Sequence, residues 1–268
     1  MGALTFTLRG AVPERLDLSP LTPEALAGKS VAEIEAITVG TTRLAPTVGD
    51  LFTVSGDDAA TIRFEGGSER FDRIGRALKS GSIHVEGDVG ARLGEAMAGG
   101  EITVSGSAHG PYAAAALAGG RITIEGDAGD CVGAALPAAM AGMTGGIVLI
   151  GGTSGAATGD RMRRGTIAVL GGTGSEAGAR MIGGTILTKS FGANAGLMMK
   201  RGTLIATSGK APSATFVDSG HYDLAFLGLL GRWLVDELPR AADLLPSRVR
   251  RFRGDMAMLG KGELMLGG

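Results

Sequence analysis

Hydrophobic and polar positions alternate in short bursts through the middle of this chain, and the bursts recur at nearly constant intervals. Between Thr61 and Gly209 the alternating apolar pairs are Ile62/Phe64, Ile83/Val85, Ile102/Val104, Ile122/Ile124, Ile147/Leu149, Ile167/Val169, Ile186/Thr188 and Leu204/Ala206. Their first members lie 21, 19, 20, 25, 20, 19 and 18 residues apart. Period-two alternation rich in β-branched residues predicts eight strands, each with one buried face. A single strand per copy cannot bury that face alone, so the copies must stack on one another with Ile over Ile. The expected fold is mainly β, a single-stranded β-helix of about seven coils.

Glycine supplies the turns of each copy. Gly66, Gly87, Gly106, Gly126, Gly151 and Gly171 follow the strands, with Ser190 at the same place in a later copy, and are expected to be corners of positive φ. The pairs Gly90/Gly94, Gly129/Gly133, Gly155/Gly159, Gly174/Gly178 and Gly192/Gly196 are expected where adjacent backbones approach closely. Leu78, Met97, Leu117, Met143, Met162, Met181 and Met199 then return an apolar side chain inward as a further ladder. The long interval between Ile122 and Ile147 holds an apolar excursion, Ala134 to Met140, expected as an insertion.

The flanks follow other periods. Leu4, Phe6 and Leu8 alternate as a strand. Thr22 before Pro23, and Ser30 three residues ahead of Glu33, mark the starts of two short helices. A strand at Phe52 and Val54 lies too close to Ile62 for a full coil. After Gly209 the leucines 224, 227, 230, 234 and 238 recur at helical spacing, while Phe226 and Trp233 lie off that stripe. The chain therefore divides into capping elements at 1–60, the repeat at 61–209, and a helix with a closing hairpin at 210–268.

Composition narrows the functional classes. Glycine occupies 48 of 268 positions without a three-residue period, and 44% of residues are hydrophobic, which suits a packed core rather than collagen or disorder. With 26 basic and 27 acidic residues there is no global pull toward nucleic acid or an acidic membrane. One cysteine, Cys131, excludes an internal disulfide framework or a cluster held by this chain alone. The start lacks a signal-peptide pattern and no long apolar run is present, so a cytoplasmic location is expected. Three histidines, His84, His109 and His221, are scattered, with no paired-ligand motif. No metal site and no catalytic residue are assigned. The glycines from Gly172 to Gly178 lack the spacing of a dinucleotide loop, and similar glycines occur in most copies.

The repeat resembles the GXGXG-repeat family, which includes the C-terminal domain of the large glutamate synthase polypeptide. The segments Val48 to Gly56, Arg253-Gly254-Asp255-Met256 and Gly260-Lys261-Gly262-Glu263 extend that resemblance to the C-subunit family of formylmethanofuran dehydrogenases. That likeness implies a right-handed coil. It also implies a structural, noncatalytic component of a formyltransferase/hydrolase complex, found in methylotrophic bacteria, which moves a formyl group from formyl-tetrahydromethanopterin to a methanofuran-type carrier and releases formate. The implied partners are amidohydrolase-like, formyltransferase and subunit-B-like chains, with the pterin and furan carriers used by the complex rather than by this chain. Two alternatives stay open: the C-subunit of a tungsten or molybdenum formylmethanofuran dehydrogenase, and a spacer module like that of glutamate synthase. A left-handed acyltransferase helix would need stricter six-residue repeats.

One charged group stands out. Arg163-Arg164 and Lys200-Arg201 follow the ladder methionines of two copies, with Arg180 and Lys189 in the copy between. Stacking puts equivalent positions two rungs apart at about 10 Å, within reach of one anionic partner. Arg163, Arg164, Arg180, Lys200 and Arg201 are thus a candidate polyanion contact, for which the glutamyl tail of a methanofuran-type carrier is chemically suited. A solvated edge that blocks self-pairing is the competing reading.

Overall fold

A computed structural model describes residues 2–43 and 45–268 of the chain. Thirteen strands form one large, mostly parallel sheet, and a C-terminal helix packs on it. The N-terminal end is built from β1 (Ala3–Leu8), β2 (Leu16–Asp17) and three short helices, α1 (Pro23–Leu26), α2 (Val31–Glu35) and α3 (Val48–Leu51). Next come β3 (Phe52–Ser55), β4 (Asp58–Glu65) and β5 (Phe71–Asp72). The parallel ladder continues through β6 (Ser82–Glu86), β7 (Glu101–Val104), β8 (Arg121–Ile124), β9 (Ile147–Ile150), β10 (Thr166–Gly172), β11 (Thr185–Ser190) and β12 (Arg201–Ala206). The chain ends with β13 (Val217–Tyr222), α4 (Ala225–Glu237), a 3-10 segment at Pro239–Leu244, β14 (Val249–Gly254) and β15 (Lys261–Gly267).

The strand order in the sheet is β13-β14-β15-β12-β11-β10-β9-β8-β7-β6-β4-β1-β3. Only the terminal pairs β1/β3, β13/β14 and β14/β15 are antiparallel. The register is the one the alternation demands through β8, with Ile62, Ile83, Ile102 and Ile122 opposite one another and Phe64, Val85, Val104 and Ile124 beside them. All eight are buried. Isolated parallel bridges link Val89, Ala108, Ala128, Ser154 and Thr173 into a second column. The apolar residues from Leu78 to Met199 form a third, every member fully buried.

The fifth repeat strand departs from expectation. Val148 and Ile150, not Ile147 and Leu149, continue the inward columns, because Ile122 pairs with Val148 and Ile124 with Ile150. Alternation could not fix this register, since Ile147-Val148-Leu149-Ile150 is apolar at every position, and a one-residue slip exchanges the two faces. The reason lies on the other side of the sheet. The outward residues of β4, β6, β7 and β8 are Arg63, His84, Thr103 and Thr123, whereas those of β9 to β12 and β15 are Leu149, Ala168, Leu187, Ile205 and Met265. The latter are buried under Leu227 and Leu234 of α4 and Leu238, Ala241 and Leu244 that follow it. Strands buried on both faces read as continuous apolar runs. The leucine stripe of α4 thus packs as expected, and Trp233 joins the same cluster while Phe226 stays exposed.

The glycine reading also needs one correction. Gly66 and Gly87 have positive φ, but Gly106, Gly126, Gly151 and Gly171 do not; there the previous rung, through its backbone or the side chains of Asp88 and Ser107, leaves no room for a Cβ. Left-handed conformation is required instead at the entry to each strand, at Gly81, Gly100, Gly120, Gly146, Gly165, Gly184 and Gly202. An added Cβ at Gly165 would stand 2.6 Å from Cε of Met143, so the glycine column makes the space that the methionine column fills. The expected close approaches hold at Gly129, Gly155, Gly174 and Gly192, where a Cβ would meet the backbone of the preceding rung, but not at Gly94, Gly133, Gly159, Gly178 and Gly196, which have positive φ and where a Cβ would meet core side chains instead.

The expected starts of the flanking helices are present. Thr22 caps α1, and Ser30 and Glu33 form a reciprocal capping box on α2. An aromatic plug closes this end of the stack: Phe6, Phe52, Phe64 and Phe71 are fully buried, with Phe6 stacked on Phe64 at 5.0 Å between centroids. The insertion Ala134 to Met140 forms no strand or helix; Ala134 and Ala135 turn inward and Met140 is exposed.

Candidate functional site

Four of the candidate cations share one corner of the stack. The amides of Arg163, Ile182 and Lys200 donate to the carbonyls of Met143, Met162 and Met181, each at 2.8 Å, so these three residues hold equivalent places on successive rungs. Arg164, Gly183 and Arg201 form the adjoining column. Arg163 and Lys200 are therefore two strand spacings apart, about 10 Å. All four side chains are exposed, and among the described residues none of them takes part in an ion pair.

The remaining candidate, Arg180, and the nearby Lys189 lie elsewhere. Arg180 occupies the neighbouring corner, where its Nε donates to Asp160 at 2.7 Å, and that hydrogen bond raises the pKa of the guanidinium. Lys189 stands near the far end of β11, where its carbonyl accepts from the Thr207 hydroxyl at 2.9 Å. Neither side chain joins the unpaired group.

A fifth exposed cation at the corner was missed in the sequence. Lys261 opens β15 directly opposite Arg201, with Gly262 opposite Gly202 and Glu263 opposite Thr203. The signal was legible as a common spelling, a basic residue before glycine, then Thr or Glu, then an apolar residue, in Arg164 to Ile167, Arg201 to Leu204 and Lys261 to Leu264. β15 is separated from β12 by more than fifty residues and a helix, so the spelling carried no period.

Several cations elsewhere in the stack are matched within the chain. Glu95, 5% exposed, is approached by Arg73, Arg76 and Arg92 at 3.9, 3.4 and 3.5 Å. Arg73 also reaches Asp17 at 2.6 Å, and Arg15 reaches Asp72. Such pairs are internal struts whose net worth is modest where the arginines are exposed.

The groups with catalytic potential do not converge. His84 points outward from β6, His221 lies on β13, and His109 Nε2 is 3.1 Å from Asp88. A hydrogen bond from the Ser107 amide, then one from His109, holds the Asp88 carboxyl below the usual range. Burial pushes the Cys131 thiol up, only partly offset by its hydrogen bond with Tyr112, which is the opposite of an activated thiolate. Among the described residues no group of three or more His, Cys, Asp or Glu could hold a metal ion. Among the same residues no helix is long and apolar enough to cross a membrane.

No family model matches the chain. The C-subunit of the formyltransferase/hydrolase complex Fhc of Methylorubrum extorquens is 51% identical over 263 residues, covering 98% of each chain. The crystal structure of the formyltransferase/hydrolase complex FhcABCD from Methylorubrum extorquens, in complex with methylofuran, contains a chain that superposes with a TM-score of 0.91 at 49% identity, over 98% of this chain and 99% of that one. The C-subunit of a molybdenum-containing formylmethanofuran dehydrogenase of Methanosarcina barkeri is 34% identical over 98 residues, about a third of either chain. At half the residues identical along nearly its whole length, this chain belongs to the C-subunit family of formyltransferase/hydrolase complexes.

Proposed function

We propose that this protein is the noncatalytic, structural component of a cytoplasmic formyltransferase/hydrolase complex. The complex moves a formyl group from formyl-tetrahydromethanopterin to a methanofuran-type carrier and releases formate, while the chain itself binds neither carrier at a reaction centre. The observation that carries this is the near full-length match to a component of FhcABCD, a four-component assembly solved with methylofuran. The scattered histidines and the raised thiol of Cys131 agree with a scaffold role. A role in a metal-dependent formylmethanofuran dehydrogenase has less support, because that resemblance spans about a third of the chain.

The scaffold we propose is a right-handed single-stranded β-helix at 61–209, capped by 1–60 and closed by the helix and hairpin of 210–268. Its support is the combination of parallel strands at near-constant spacing with the bridge column of Val89 to Thr173. The corner formed by Arg163, Arg164, Lys200 and Arg201 faces a polyanion, either the glutamyl tail of the carrier or an acidic protein surface; Arg180, paired with Asp160, stands at the neighbouring corner.

The decisive assay reconstitutes the complex from its purified components. The isolated chain should neither transfer nor hydrolyse formyl groups, and omitting it should abolish assembly of the rest. Turnover by the chain alone, lost on changing one of its own residues, would refute the scaffold reading.

A further inference from the structure

Beside the cationic corner lies a shelf of exposed apolar side chains drawn from two distant parts of the chain. Leu197 and Met198 end the last repeat turn before β12 and are 37% and 44% exposed; Met256 and Leu259, from the loop joining β14 to β15, are 47% and 55% exposed. Asp255, only 2% exposed, joins the two parts. One of its carboxylate oxygens accepts the Met198 amide at 3.0 Å, the other accepts the Ala257 amide at 2.8 Å, and its own amide donates to the Met199 carbonyl at 3.3 Å. The Met256 amide is held in turn by the Thr215 carbonyl at 2.9 Å. The shelf is therefore anchored at both ends.

Shelf and corner are continuous along the chain. Met198 leads through buried Met199 to Lys200 and Arg201, while Leu259 leads through Gly260 to Lys261, the register partner of Arg201. We propose that shelf and corner together are the docking surface for another component of the complex, one whose contact face is apolar at its centre and acidic along one rim. This rests on the reading of the chain as part of that complex.

Three arguments select that occupant. A rigidly held group of large exposed apolar residues marks a protein contact, and methionine adapts its shape to a partner at little cost. Among the described residues the neighbouring cations have no internal acid, in contrast to Arg73, Arg180 and Arg250, so five adjacent charges are left to meet an acidic rim on a partner. A second copy docking through the same surface would set cation against cation, and a free glutamyl tail would use the cations but leave the apolar shelf uncovered.

The test uses the full chain, affinity-tagged and co-expressed with the other components, followed by recovery of each partner at ~0.05 M and ~0.5 M salt. Met256→Glu with Leu259→Glu alters the shelf, and Arg201→Glu with Lys261→Glu alters the corner. Each double variant should lower recovery of one and the same partner by about tenfold or more. The shelf defect should persist at high salt, whereas the gap between the corner variant and the parent should narrow as screening weakens the parent's charge contacts. Melting of each purified variant chain is measured first; if the glutamates lower it, Met256→Gln with Leu259→Gln is judged by the same criterion. Normal recovery of every partner by both variants would overturn the proposal. So would a corner variant that assembles fully but loses carrier-dependent turnover, which would assign the cations to the carrier tail. Failure of the parent chain itself to recover any partner would instead refute its place in the complex.

Discussion

Substituting alanine for Gly94 tests the packing rule that links each turn to the strand beyond it. Gly94 has φ +62°, and a Cβ there would overlap Cδ1 of Ile122 while standing 3.4 Å from its Cγ1 and 3.5 Å from Cδ1 of Ile102. Left-handed backbone costs an alanine about 1 to 2 kcal/mol. Overpacking a close-fitted core adds about 1 to 3 kcal/mol, so Gly94→Ala should lower stability by roughly 2 to 5 kcal/mol. Ile122→Val removes only the offending Cδ1 and should cost about 0.5 to 1.5 kcal/mol. In the double variant the overlap is gone and only the backbone term and the lost methyl remain. The loss should fall short of the sum of the single changes by about 1 to 3 kcal/mol. The chain already contains this solution. Successive rungs place Gly94, Ala114 and Gly133 at equivalent positions, their amides donating to Ile74, Leu93 and Ala113. Where the turn carries Ala114, with φ +57°, the strand position equivalent to Ile122 is Val148, which has no Cδ1. Equilibrium urea unfolding of the four proteins measures the coupling. Additivity within about 0.5 kcal/mol would refute the rule and the register that puts Val148 inward.

Two further outcomes follow from the same geometry. Leu149→Asp should weaken the chain by several kcal/mol and expose 210–250 to proteolysis, since it sets an unpaired charge beneath α4, whereas Thr123→Asp on the uncovered part of the same face should change stability by less than about 1 kcal/mol; equal effects would mean α4 does not cover β9. Hydrogen bonds from the Thr153 amide at 2.6 Å and the Thr153 hydroxyl at 2.9 Å hold the Asp127 carboxyl below the usual range, so its contribution is present above the unfolded carboxylate pKa and is lost as pH falls. Unfolding free energy measured from pH 7 down to about 3 should therefore decline less steeply in Asp127→Asn than in the parent, and identical slopes would remove Asp127 from the acid response.

Local period was enough to specify much of this protein before any tertiary contact was known. Ile62, Ile83, Ile102 and Ile122 announce their strands and their mutual pairing because one face is buried and the other wet, so alternation encodes both the element and its register. The capping box at Ser30 and Glu33 and the leucine stripe of α4 are equally local. The cations at 163, 164, 200 and 201 could be brought together on paper because a fixed repeat turns separation in sequence into height in the stack. The folded chain alone settles the contacts that no period carries. Whether Val148 or Leu149 faces inward depends on α4, which covers the outer face of β9 from about 75 residues further along and erases the alternation there. Lys261 reaches Arg201, and Asp255 ties its loop to Met198, because the hairpin after α4 returns to the edge of β12 and adds one more parallel strand. Pairing of that kind is set by which edge remains open once the stack is built, a property of the assembled surface and not of any segment of the chain.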